Sequence, residues 1–359
     1  MRSAPLTDLF RSMGLPVPVP SMFHTFPSSR LSVSSMTTGA TQIAGFPARL
    51  ALCTGLAILA LVTAIPAYAV EDGMSPYPRG FAGFMSGMVP PQQGLYTSAI
   101  NYYFDGLAGA NVRDGFVEFG INTTMDVQFL QGLYVTDLSL LGGQYAFGGA
   151  IGWGWIDLSA SLNAPIGGIN VSLNNDAFAD SLWTPALFAW HDGPFNWNLA
   201  LNVYAPTGYY SPHIRTGLSI GKNIWAFMPQ FSFTYFDPKA GWEASTSLIY
   251  VTQGNNSATD YQSGDLIHLD WALGYHFGSA LSWETGVAGN FMQQISPDTG
   301  SGARLGSFEA SSFGLGPALS FNTKYGTVPI NLGAKWEHDL YATNTFKGDL
   351  VTVTIGAAF

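Results

Sequence analysis

The chain has 359 residues, room for one large or two ordinary domains. Charged residues make up only 10%, far below the roughly 25% of a soluble protein, while aromatics reach 14% and the net charge is −10. Few charges with many aromatics exclude intrinsic disorder, and the acidic balance excludes a nucleic-acid binder, which carries basic patches.

Residues 1–35 are rich in Ser and Pro (PVPVPSMFHTFPSSR) and lie upstream of anything an export signal needs. They read as a non-native or untranslated leader, with translation starting at Met36, or else as part of a long leader. Residues 36–69 read as a signal peptide. Arg49 precedes the apolar run ALCTGLAILALVTAIPAYA (51–69), and Ala67-Tyr68-Ala69 closes it with the small-x-small pattern of a cleavage site. Pro66 argues against a membrane anchor. Cys53 stands at the start of the apolar core rather than after it, which argues against lipidation. Cleavage after Ala69 makes Val70 the mature N-terminus. It removes Arg2, Arg11, Arg30 and Arg49 against Asp8 alone, so the mature chain is more acidic still. It also removes the single cysteine, so no disulfide framework is available.

Residues 70–94, VEDGMSPYPRGFAGFMSGMVPPQQG, come next. Pro90 and Pro91 exclude a regular strand. Phe81, Phe84, Met85 and Met88 suit either a small plug in a barrel mouth or a periplasmic tether, and both readings stand.

From residue 95 onward the chain alternates. In FNWNLALNVYA, Phe195, Trp197, Leu199, Leu201 and Val203 oppose Asn196, Asn198, Ala200, Asn202 and Tyr204. In IHLDWALGYHF, Ile267, Leu269, Trp271, Leu273, Tyr275 and Phe277 oppose His268, Asp270, Ala272, Gly274 and His276. In INLGAKWE, Ile330, Leu332, Ala334 and Trp336 oppose Asn331, Gly333, Lys335 and Glu337. One face is large and apolar, the other polar or glycine, which is the period of a strand. Strands of soluble proteins run about 5–6 residues. These run about 10 to 12, the length a tilted strand needs to cross a bilayer. Open backbone groups are not tolerated in lipid, so such strands must close into a barrel.

The strands read as 95–104, 124–136, 144–160, 181–190, 195–205, 223–236, 242–252, 266–277, 281–294, 307–322, 327–338 and 348–359. That is an all-β transmembrane antiparallel barrel of about twelve strands, with ten to fourteen open. Tight turns (192–194, 238–241, 278–280, 324–326) alternate with longer loops (206–222, 253–265, 295–306, 339–347). This asymmetry of short periplasmic turns and long extracellular loops belongs to outer-membrane barrels, and it puts both termini on the periplasmic side. The chain ends in VTVTIGAAF, whose Val351, Val353, Ile355, Ala357 and Phe359 share a face. Phe359 there reads as an assembly signal for the barrel-assembly machinery.

HDGPFNWNLALNVYAPTGYY (191–210), FSFTYFDPKAGWEAS (231–245), TDYQSGDLIHLDWALGYHFG (259–278) and QQISPDTGSGARLG (293–306) carry a family resemblance. They resemble outer-membrane β-barrel proteins of the meta-pathway of phenol degradation family. The resemblance implies passage of small hydrophobic or aromatic compounds across a Gram-negative outer membrane, and it carries over no catalytic residue.

No catalytic, metal or cofactor site is expected. His268 and Asp270 are adjacent on one face, while His276 lies about 20 Å further along at ~3.3 Å per residue, so the three cannot chelate one ion. Asn196, Asn198, Asn202, His268, Asp270, His276, Lys335 and Glu337 are the candidate lumen-lining residues. Gly148, Gly149, Gly152 and Gly154 follow no βαβ pattern and suit packing on a curved strand. The expected function is an outer-membrane channel whose partners are membrane lipid and a small solute. A lipid-hydrolysing barrel, which needs a serine activated by a histidine, and a structural or adhesive barrel are the alternatives.

Overall fold

The structure is a computed structural model that describes residues 74–112, 117–164, 167–212, 218–303 and 309–359. The leader, Met36, the signal peptide with Ala67 and Ala69, and Val70 lie outside the described residues.

Thirteen strands are present among the described residues: β1 (Gly94–Val112), β2 (Val117–Leu140), β3 (Gly143–Ala164), β4 (Gly167–Phe178), β5 (Ser181–Asp192), β6 (Phe195–Ala205), β7 (Ala226–Asp237), β8 (Trp242–Gln253), β9 (Leu266–Phe277), β10 (Trp283–Gln294), β11 (Ser311–Tyr325), β12 (Val328–Thr343) and β13 (Lys347–Ala358). Every pairing is antiparallel. β1 pairs with both β2 and β13, and β2 with β3, which closes a ring of twelve from which only β4 is excluded. The all-β, twelve-stranded barrel read from the alternation is the fold. The seam is complete to its last residue: Leu95 donates to Phe359 O at 3.0 Å, and Phe359 donates back to Leu95 O at 2.8 Å.

The fourth strand in chain order was missed. GGINVSLNNDAF is too polar to read as a membrane strand, and it does not enter the ring. β3 holds two partners along its length: Gln144–Ala150 pairs with β5, and Trp153–Ala164 pairs with β4. At the changeover a Cβ on Gly152 would come 2.9 Å from the Phe129 ring and 3.1 Å from Ala179 Cβ, so crowding by these side chains accounts for that glycine.

Several strands are also longer than expected. β1 and β2 extend to Val112 and Val117. β12 continues to Thr343, so residues 344–346 replace the expected loop 339–347. The alternation simply persists there: Glu337 and Asp339 stay inside while His338 and Leu340 stay outside. β7 and β11 start three and four residues later than expected.

Turns 141–142, 193–194, 238–241, 278–282 and 326–327 gather at the end that holds Phe359, with Gly193 and Gly326 at φ 55° and 60°. Burial alternates along β6, β8 and β9, and Leu199, Leu248, Leu273, Leu319, Leu332 and Ile355 are exposed. Near the short turns the outer face turns aromatic, with Trp242 against Tyr275 at 5.1 Å and Trp283 against Phe321 at 4.3 Å. This is the girdle of a membrane barrel.

Leu248 lies midway along β8 on the exposed face. Leu248→Arg should cost about 2–4 kcal/mol, the price of a cation at the bilayer midplane. The check is the folded fraction in lipid across a denaturant series, where Ser245→Ala, facing inward, should change it less.

Candidate functional site

Residues 74–93 are not a strand, yet several of their backbone groups find partners on the inner wall. From the short-turn end, Gln144 Nε2 donates to Pro91 O at 2.9 Å, and Gly87 N–H donates to Thr234 Oγ1 at 2.9 Å. Asn198 Nδ2 donates to Ser86 O at 3.0 Å, and Met85 N–H donates to Glu243 Oε1 at 2.8 Å.

Further in, the segment is held from both sides. Asp270 Oδ1 accepts from Gly80 N–H at 3.1 Å, and its Oδ2 accepts from Ala82 N–H at 2.9 Å and from the Tyr77 hydroxyl at 2.7 Å. Opposite, Lys335 Nζ donates to Ala82 O at 2.6 Å and to Gly80 O. Lys335 also pairs with Glu337 at 3.2 Å. Gly80 sits at φ +62°, and a Cβ there would come 2.7 Å from Glu337 Oε2, so this position requires glycine. Burial, and then the Asp270 carboxylate, hold the Tyr77 hydroxyl well above its ordinary range, so it remains a donor. Arg79 pairs with Asp339 at 3.3 Å, donates to Phe346 O at 3.2 Å and lies 5.2 Å from the Phe104 ring.

Four of the eight residues picked out by their polar face therefore touch this segment directly: Asn198, His268 (Nε2 to Ser75 Oγ, 2.9 Å), Asp270 and Lys335. Glu337 reaches it through Lys335. Asn202 instead bridges wall residues, donating to Gln230 Oε1 at 2.9 Å and accepting from Thr184 at 2.7 Å. Asn196 lies 2.7 Å from His191 Nδ1. His276 meets neither His268 nor Asp270. It converges with Glu243 and Glu284, all three buried, with ligand-capable atoms within 4.8 Å of one another. Those two glutamates were not singled out from sequence because the group draws on three strands. A signal was present: Trp-Glu opens both β8 and β10, which places a carboxylate inside at the same depth.

Beyond the segment a cavity of about 130 Å³ opens, lined chiefly by apolar groups including Phe81, Tyr102, Phe129, Met228, Met292 and Phe346. Phe81 forms its floor edge-on to Phe129 at 5.6 Å and to Tyr77 at 6.5 Å. Asp180 also borders it, and both of its oxygens are occupied, by Gly208 N–H at 2.7 Å and Lys222 N–H at 2.6 Å.

Residues 107–355 match the family described as "Putative MetA-pathway of phenol degradation". The chain belongs to this family. Among solved structures, the COG4313 outer membrane channel from Pseudomonas putida F1 is similar at a TM-score of 0.60, with 12% identity over 77% of this chain and 98% of that one. The β domain of the Bordetella autotransporter BrkA reaches a TM-score of 0.40 at 12% identity, over 74% of this chain and 99% of that one. At its identity the likeness to the COG4313 channel concerns the fold, a barrel of the outer-membrane channel type. No curated protein matches the chain.

Asp270→Ala leaves the Gly80 and Ala82 amides without their acceptor, and a hydrogen bond to a charged group is worth about 1.5–3 kcal/mol. Amide exchange across residues 77–85 should accelerate roughly tenfold or more, while β11 and β12 keep wild-type protection. Hydrogen exchange read by mass spectrometry on the folded barrel checks both.

Proposed function

We propose that the protein is an exported channel of the Gram-negative outer membrane that passes small hydrophobic or aromatic compounds. The observation that carries this reading is the apolar, largely aromatic and methionine-lined cavity that opens inside the barrel above Phe81. Its volume is close to the roughly 150 Å³ of an engineered apolar cavity that stays dry and takes up benzene. A single aromatic ring therefore fits, and edge-on contacts with Phe81 and Phe129 favour one. The family's association with phenol degradation supports the same class of solute.

In this reading residues 74–82 form the floor on which a solute rests, and passage requires that floor to shift. The segment is held by hydrogen bonds and ion pairs rather than by strand pairing, so it is the part of the interior that can move without opening the wall. Asn198, His268, Asp270, Lys335 and Glu337 then set how firmly it is held, and Phe359 serves assembly at the closing strand. Against a lipid-cleaving alternative, His268 touches Ser75, but among the described residues its Nδ1 has no hydrogen-bond partner that would orient it as a hydrolytic triad does.

Met228→Trp places an indole into the cavity from a fully buried wall position. Uptake of toluene or phenol by cells carrying this variant should fall at least fivefold against wild type, at equal amounts of heat-modifiable folded barrel. Unchanged uptake in the variant, or wild-type uptake equal to that of cells lacking the gene, would overturn the reading.

A further inference from the structure

We propose that Glu243, His276 and Glu284 form a binding site for a divalent first-row transition cation, which fixes residue 85 of the inward segment to the barrel wall. The site stands at the short-turn end, away from the apolar cavity, and does not depend on what the cavity carries.

Register brings the ligands together. Glu284 lies directly across from His276, and Glu243 lies across from Gly274, two residues from His276 on the same face. Gly274 clears the space between them. A Cβ there would come 2.5 Å from Glu284 Oε1 and 2.8 Å from Glu243 Oε2. The three side chains are 95% or more buried, with exposures of 2%, 5% and 1%. Their outward neighbours Trp242, Tyr275 and Trp283 cover the lipid side.

The unsatisfied atoms point at one another. Among the described residues Glu243 Oε2, Glu284 Oε1 and His276 Nε2 are buried without a well-formed hydrogen bond, and Nε2 lies 3.0 Å from Glu284 Oε1, an ion pair only when the imidazole is protonated. Burying such atoms unpaired is costly. Among the described residues neither glutamate forms an ion pair with Lys or Arg, since Lys335 is engaged by Glu337 and Arg79 by Asp339. One divalent cation supplies what the cluster lacks: two positive charges and an acceptor for three lone pairs. The donor set of one imidazole and two carboxylates favours a first-row transition ion over magnesium or calcium, whose sites are built from oxygen alone. Three protein ligands also leave a position for water.

A second layer of contacts is in place around these ligands. Glu243 Oε1 accepts from Met85 N–H at 2.8 Å and from the Ser245 hydroxyl, which aims Oε2 at the other two ligands. The Phe236 ring packs on the His276 imidazole at 4.6 Å. Partners of this kind orient metal ligands and sharpen affinity. Because Glu243 would bind the cation with one oxygen and the inward segment with the other, occupancy stabilises the segment by mass action.

The test uses the purified full barrel in detergent, stripped with a chelator and titrated with Zn²⁺ against a chromophoric competitor. One equivalent should bind. Glu284→Gln and His276→Gln should each weaken it by at least the roughly 100-fold seen at the upper end for supporting residues, and the exposed His338→Gln should not. A nitroxide at Met88→Cys should lose mobility on Zn²⁺ addition in wild type and not in Glu284→Gln. Equal Zn²⁺ affinity in wild type and both ligand variants would overturn the site and leave two carboxyl groups sharing a proton. Should the variants fail to fold, Mn²⁺ on the wild-type barrel reports its own ligands by pulsed resonance. Coupling to one imidazole nitrogen supports the site, and absence of nitrogen coupling overturns it.

Discussion

The interior is organised by one contact, the grip of Asp270 and Lys335 on the backbone of Gly80 and Ala82. A carboxylate takes the N–H groups of Gly80 and Ala82 on one side and an ammonium takes their carbonyls on the other, so these two residues have their backbone hydrogen bonds met without secondary structure. Each charge is also compensated by what it holds, which is how two buried ions avoid the desolvation cost that isolated ones would meet. That grip flanks Phe81 on both sides and holds its ring facing Phe129. The apolar cavity is in this sense a by-product of a polar clamp beneath it.

The barrel's inner surface is thereby divided along its axis. Toward the long loops it is aromatic and sulfur-rich. At mid-height it is a network of fixed charges, and near the short turns it holds both the Glu243–His276–Glu284 group and an apolar patch of Val89, Val135 and Leu187. A uniform polar bore would follow from strand alternation alone. The division arises because residues 74–93 supply the second wall of every one of these zones.

How much of this was legible in the sequence follows the range of the interactions. Alternation is local, so β6, β9 and β12 announced both their faces, and Asn196, Asp270 or Lys335 could be assigned inward from neighbours one residue away. Strand β4 was not legible, because its polar NVSLNN stretch carries no lipid-facing stripe and its pairing to half of β3 is a matter of register. The Gly80–Asp270 and Lys335–Ala82 contacts join residues 190 and 253 positions apart, and no local pattern encodes them. The convergence of Glu243, His276 and Glu284 was hidden for the same reason, although two Trp-Glu pairs at strand starts hinted at a shared depth. What the sequence did mark was unexplained composition: Phe81, Phe84 and Met85 in a stretch where two prolines forbid a strand.

The seam between β1 and β13 bears on how the molecule is made. The first strand of the ring finds its second partner only when the last strand has been laid down, and the segment that precedes β1 reaches across to β8, β9 and β12. Contacts of such sequence separation form late, because chain entropy must be spent before they are gained. Ordering of segment 77–85 thus requires β8, β9 and β12 to stand at the separation its contacts span. A barrel left open at its seam, or one strand out of register, would lack opposing Asp270 and Lys335 at the right separation.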